Sequence, residues 1–137
     1  MRPTPDVGLV QNPVCDAGKE EWEMAVAMFM HWPGMTTDQY NAVMARLGLD
    51  ANPAAGGVLH VAAVTEDGLE VCEVWQTEQA LNGFLEQRML PVVGELGISG
   101  EPEINVVPLH NLYAGDPDMI DRIGAMSVPG AVAAWAS

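Results

Sequence analysis

The chain has 137 residues, 49% of them apolar and 18% charged, which suits one domain with a single core and excludes a disordered chain. Nineteen acidic residues stand against five basic ones, a formal net charge of -14. So acidic a surface repels phosphate backbones and anionic bilayers, and no apolar run reaches membrane-spanning length, so neither nucleic acid nor membrane is expected as a partner.

Residues 1–22 are rich in Pro, Gly and Asp and read as an N-terminal arm. "MRPTPDVGLVQNP" lacks the apolar core of a secretion signal, and Cys15 and Cys72 fit no zinc spacing. A cytoplasmic protein with reduced thiols is expected. "EMAVAMFMHW" predicts a strand from about Glu23 to Trp32, apolar on both faces as a central strand should be, and Pro33-Gly34 stops it.

"TTDQYNAVMARLGLD" predicts a helix. Thr36 caps it, Gln39 completes a capping box, and Gly48 supplies the C-terminal stop. Tyr40, Val43, Met44 and Leu47 share one stripe, read as core. "GVLHVAAVTE" and "LEVCEVWQT" flank Asp67-Gly68, a favoured two-residue turn, and predict a hairpin. Thr77 then caps a second helix with a buried stripe of Leu81, Phe84, Leu85, Met89, Val92 and Leu96. Pro91 should kink or restart this helix, and Gly97 ends it. "EPEINVVPLHNLY" predicts the last strand, with Pro108 at a bulge or an edge. Beyond Gly115, Asp116 and Pro117 open a short C-terminal helix.

The order is βαββαβ, a ferredoxin-like α+β domain with an antiparallel sheet and an extra short C-terminal helix. The expected organisation is an arm over 1–22, the α+β domain over 23–114, and a helix and tail over 115–137. Helices then cover one sheet face only. The apolar character of both faces calls for a cover on the other, and a second copy of the chain is the simplest one.

"GVLHVAA" (57–63), "EVWQTEQALNGFLEQRMLP" (73–91) and "VVPLHNLY" (106–113) resemble the dimeric α+β barrel superfamily, in particular its antibiotic-biosynthesis-monooxygenase-like members. The resemblance implies a homodimer. It also implies a range of activities: cofactor-free oxygenases of aromatic polyketides, polyketide cyclases, isomerases and haem-degrading enzymes. A Trp at the place of Trp75 lines the pocket in the oxygenases. Fold does not choose among these chemistries.

Strand alternation sorts the polar residues by face. His60 lies with Val58, Ala62 and Val64, and Glu73 with Leu69, Val71 and Trp75. A lone carboxylate on an apolar face needs a partner or a proton, and a histidine can supply either. His60 is therefore expected to face the cavity between the helix-free sheet face and whatever closes it, with Glu73 or Asn111 in reach. His60, Glu73 and His110 are the catalytic candidates, a set suited to moving protons. Trp75, Phe29, His31, Asn111, Tyr113 and Arg88 are the candidate substrate-binding residues. Each histidine has a plainer reading as a satisfied core or interface residue, and Arg88 as a solvated helix residue. No His pair has metal-site spacing and no haem pocket is identified, so no cofactor is expected. Two functions stay open. One is a cofactor-independent monooxygenase-like or polyketide cyclase-like enzyme of natural-product type, acting on a small apolar or aromatic molecule. The other is a non-catalytic dimer of the same fold that binds a hydrophobic ligand or is purely structural.

Overall fold

The computed structural model describes residues 24–127. The expectations for the N-terminal arm, for Cys15 and for the tail beyond residue 127 lie outside the described residues. The elements are β1 (Val26–Pro33), α1 (Thr37–Leu47), β2 (Gly57–Thr65), β3 (Gly68–Trp75) and α2 (Glu78–Phe84). A π-helical turn (Leu85–Met89), α3 (Leu90–Glu95), β4 (Glu103–Pro108) and α4 (Pro117–Ser127) follow. The four strands lie in the order β2-β3-β1-β4, every pair antiparallel. This is the ferredoxin-like sheet that the element order predicts, with β1 and β3 central and β2 and β4 at the edges.

Local chemistry fixes the element ends. Thr36 Oγ1 accepts from the Gln39 N–H at 3.1 Å, and Gln39 Oε1 accepts from the Thr36 N–H at 3.0 Å, which closes the capping box. Gly48 ends α1 with a left-handed φ of 59°, a conformation that costs glycine nothing. Two expectations need correction. The hairpin turn is centred on Glu66 and Asp67, because Gly68 already pairs with Thr65 as the first residue of β3. Gly68 serves a close approach instead: a Cβ there would meet the Trp32 carbonyl oxygen at 2.1 Å. The last strand ends at Pro108 rather than running to Tyr113. Pro108 sits at the end of an edge strand, where its missing N–H is tolerated, and one further bond, from the Leu109 N–H to the Ala25 carbonyl at 3.0 Å, follows it.

The core lies between the sheet and the first helices. Val26, Met28, Met30 and Trp32 of β1 and Leu69, Val71 and Trp75 of β3 pack against Val43 and Leu47 of α1. Leu81, Phe84, Met89 and Val93 of the second helical run complete it. Met28 and Leu81 are fully buried, worth roughly 1.5–3 kcal/mol each in transfer free energy. Pro91 has the effect expected of it. The helix widens just before it, and the Leu90 N–H donates to the Leu85 carbonyl across the π turn. The buried place beyond the turn falls to Val93, with Val92 only partly covered.

Alternate residues of the strands form the opposite sheet face, which includes Ala27, Phe29 and His31 of β1, paired in register with Val74, Cys72 and Glu70 of β3. Phe29, Val61 and Val107 on this face are 44%, 47% and 36% exposed. Cys72 is half-buried there.

Candidate acid–base site

His60 and Glu73 are direct cross-strand partners on β2 and β3. Both point toward the helices, because Glu73 alternates with the core residues Val71 and Trp75. This corrects the expected placement of His60 in a hollow on the helix-free face. Parity correctly put His60 and Glu73 together, but the shared face is the one that α1 covers.

The two side chains are the centre of a hydrogen-bonded chain. His60 Nδ1 lies 2.6 Å from Glu73 Oε2. The Trp75 Nε1–H donates to Glu73 Oε1 at 2.8 Å. Tyr40 Oη, reaching down from α1, lies 2.7 Å from His60 Nε2, and the two rings stack at 5.9 Å and 18°. Glu73 is 7% exposed. Two donors answer its two oxygens, the condition under which a buried carboxylate is tolerated. With Nδ1–H committed to the carboxylate, a neutral His60 offers Nε2 as an acceptor, and the Tyr40 O–H fills it. Burial, with the charge of Glu73 adding to it, pushes the Tyr40 phenol up from 10.0 to about 12, so Tyr40 enters this bond protonated.

Two spaces meet at this chain. Above the sheet, Met30, Trp32, Met35, Tyr40 and Met44 help line an almost wholly apolar hollow of about 50 Å³, room for a few water molecules. On the side of β2, Pro53, Ala54, Val58, Trp75 and Phe84 line an open pocket of about 210 Å³. His60 and Glu73 border both. They form the partition between an apolar interior hollow and a mouth open to solvent.

Arg88 builds the rim of that mouth. Its guanidinium donates to the carbonyls of Leu47, Asn52 and Pro53 at 2.9, 2.8 and 3.2 Å and lies 5.7 Å from the centre of the Phe84 ring. It is neither a freely solvated helix residue nor directed at a ligand, because its donors hold the loop between α1 and β2. The other candidates lie apart. Phe29 and His31 are on the opposite sheet face, where His31 Nδ1 is 2.9 Å from Glu70 and Nε2 is 3.3 Å from Asp67. The two carboxylates, Asp67 foremost, push the imidazole of His31 up, and His31 holds the Asp67 carboxyl below its usual range. His110, Asn111 and Tyr113 follow β4, separated from β2 by two strands, and are exposed. Burial, with Glu73 adding, raises the Cys72 thiol, the reverse of a nucleophile's needs. Among the described residues, no group of three or more His, Cys, Asp or Glu side chains is placed to hold a metal ion.

The residue that sequence reasoning missed is Tyr40. Its place in the apolar stripe of α1 marked it as core, which it partly is. The available signal was its hydroxyl, since a tyrosine on a buried stripe needs a polar partner opposite.

These features define a ferredoxin-like α+β domain with a Tyr–His–Glu–Trp chain between its sheet and its first helix. The sequence matches no family model and no curated protein. Among solved structures, it is similar to a protein of unknown function from Nitrosomonas europaea (TM-score 0.52, 20% identity, 68% of this chain and 98% of that one). It is also similar to a protein from Shewanella oneidensis (TM-score 0.50, 12% identity, 64% of this chain and 92% of that one). SnoaB, a cofactor-independent oxygenase from Streptomyces nogalater, aligns at a TM-score of 0.49 and 17% identity, over 69% of this chain and 99% of that one. The structural neighbours thus include antibiotic-biosynthesis-monooxygenase-like proteins. At these identities the likeness is one of fold and leaves activity to the site.

Proposed function

We propose that this protein is a small-molecule enzyme in which His60, oriented by Glu73, removes a proton from a neutral, largely apolar substrate held at the mouth beside Trp75. The observation that carries this reading is the 2.6 Å His60–Glu73 contact at the boundary of the two spaces. An imidazole fixed by a carboxylate on one nitrogen is the arrangement of a general base. The carbanion or phenolate so formed would then react with O₂ or close a ring, the oxygenase and cyclase versions that the family resemblance implies. The step assigned to this chain needs no cofactor. His110, Asn111 and Tyr113 are not part of this site.

The exposed apolar residues Phe29, Val61 and Val107 support a homodimer closed through the opposite sheet face. Phe29→Asp should then shift the sedimentation coefficient from dimer to monomer, and an unchanged value refutes that assembly.

The assay for the base is exchange of carbon-bound protons for deuterium in 2-tetralone, a neutral apolar ketone, followed by NMR in D₂O. His60→Ala should bind the ketone as the wild type does and lose the exchange. Exchange at the wild-type rate in His60→Ala refutes the assignment and leaves a binding module of the same fold.

A further inference from the structure

The hollow and the mouth meet along one seam, which Leu49, His60, Glu73 and Phe84 border from both sides. Three of these four are tied to other groups. His60 and Glu73 hold each other at 2.6 Å. The Phe84 ring lies 5.2 Å from the ring of Trp75 and 5.7 Å from the Arg88 guanidinium. Leu49 closes the rest of the seam with an aliphatic side chain, partly buried and packed against the core, so it can be shortened without breaking a side-chain hydrogen bond. We infer that Leu49 sets the depth of the mouth, and with it the size of ligand that the site accepts.

The backbone around Leu49 holds that side chain in place. Gly48 before it has the left-handed φ of 59°, and the Gly48 carbonyl accepts from the Ala51 and Asn52 N–H groups at 3.2 and 2.9 Å. Arg88 donates to the Leu47 carbonyl on one side of Leu49 and to the Asn52 and Pro53 carbonyls on the other. A backbone pinned on both sides cannot close over a gap, so atoms removed from Leu49 leave open space. This deepens the function proposed above and rests on its placement of the ligand at the mouth. Among the described residues no Lys or Arg borders the mouth, whereas Glu73 does, which suits an uncharged ligand. The mouth holds about 210 Å³ and the hollow behind Leu49 about 50 Å³. The wild type therefore takes a compact fused-ring ketone and has no room for a substituent directed at the core. With Leu49 cut back to alanine the two spaces join, and an ethyl group enters a hollow that has room for a few water molecules.

The test is the binding of 2-tetralone and of 6-ethyl-2-tetralone to the full chain, followed by the Trp75 indole N–H resonance in ¹⁵N-labelled protein. Leu49→Ala should shift the ratio of the two dissociation constants by about 10-fold or more toward the ethyl ketone, the effect of a methylene group in an apolar pocket. Val92→Ala also thins a partly buried position but borders neither space, so it should leave the ratio alone. Leu49→Phe fills the seam instead of opening it, and should weaken 2-tetralone by about 10-fold. An unchanged ratio in Leu49→Ala overturns the role of Leu49 and leaves His60 as the base. A shift as large in Val92→Ala overturns it too, because general loosening then explains the change. Should Leu49→Ala fail to fold, Leu49→Phe decides: wild-type affinity for 2-tetralone there means that Leu49 does not bound the mouth. A wild type that binds neither ketone overturns the proposed function, and this inference with it.

Discussion

Replacing Glu73 tests the site without any ligand. Its carboxylate accepts from His60 Nδ1 and Trp75 Nε1, and hydrogen bonds to a charged acceptor contribute about 1.5–3 kcal/mol each. Glu73→Gln keeps one acceptor oxygen, which can serve Trp75, and presents an amide N–H to His60. The imidazole must then move its proton to Nε2, and the bond to Tyr40 reverses direction. Two charge-assisted bonds become two neutral ones, a loss of about 1–2 kcal/mol. Glu73→Ala leaves both donors without an acceptor. The Trp75 indole is 3% exposed and has no alternative, whereas the His60 side chain is 30% exposed and can turn partly to water. A loss of about 3 kcal/mol follows. At roughly 4 °C per kcal/mol for a domain of this size, thermal unfolding followed by circular dichroism at neutral pH should fall by roughly 4–8 °C for Glu73→Gln and ~12 °C for Glu73→Ala. A Glu73→Gln protein that melts above the wild type, or a Glu73→Ala protein no less stable than Glu73→Gln, refutes the claim that two satisfied donors hold this carboxylate in place.

Three further outcomes follow from the same geometry. Phenol absorbance on alkaline titration should show a step near 12 for Tyr40 that disappears in Tyr40→Phe. Because this folded value is raised, the stability it confers is intact below about pH 10 and is lost as pH climbs through the folded value. The raised imidazole of His31 gives a second window. Its contribution is whole below about pH 6.5 and fades as pH rises through the folded value, so His31→Gln should flatten the fall in Tm as pH rises above about 6.5. An unchanged slope refutes it. Arg88→Lys retains the charge but cannot reach three carbonyls with a planar fork. It should therefore speed amide exchange in residues 48–56 several-fold, while amides of β1 keep wild-type protection.

Much of the fold was legible because it rests on local rules. The capping box of Thr36 and Gln39, the left-handed Gly48 and the disturbance ahead of Pro91 are short-range effects that tertiary context left alone. The pairing of His60 with Glu73 was legible too, since alternation places them on one face. Which face that is was not legible. β1 presents Val26, Met28, Met30 and Trp32 on one side and Ala27 and Phe29 on the other, and both sets are apolar. Periodicity reports the alternation but not its sign. The bulkier set lies against the helices, and weighing side-chain volume would have chosen correctly. His110, Asn111 and Tyr113 were misplaced for another reason. Their apolar neighbours suggested a longer strand, but the strand ends at Pro108 and the last bond to the β1 side is made by Leu109. Arg88 could not be read because its partners are backbone carbonyls 35 to 41 positions away, and those leave no trace in composition.

The π turn at Leu85–Met89 is in effect a one-residue insertion in a helix, and each residue of an α-helix advances the direction of its side chains by about 100°. The turn absorbs that advance, so the segments on either side keep separate phases against the sheet, Leu81 and Phe84 before it and Met89 and Val93 after it. Deleting one residue here would leave a smoother helix and a poorer protein. The downstream half would swing by a quarter-turn or more, and Arg88, which lies within the widened segment, would lose its aim at the loop. The geometry of the mouth is thus set by an irregularity in a helix, through Phe84 just before it and Arg88 within it.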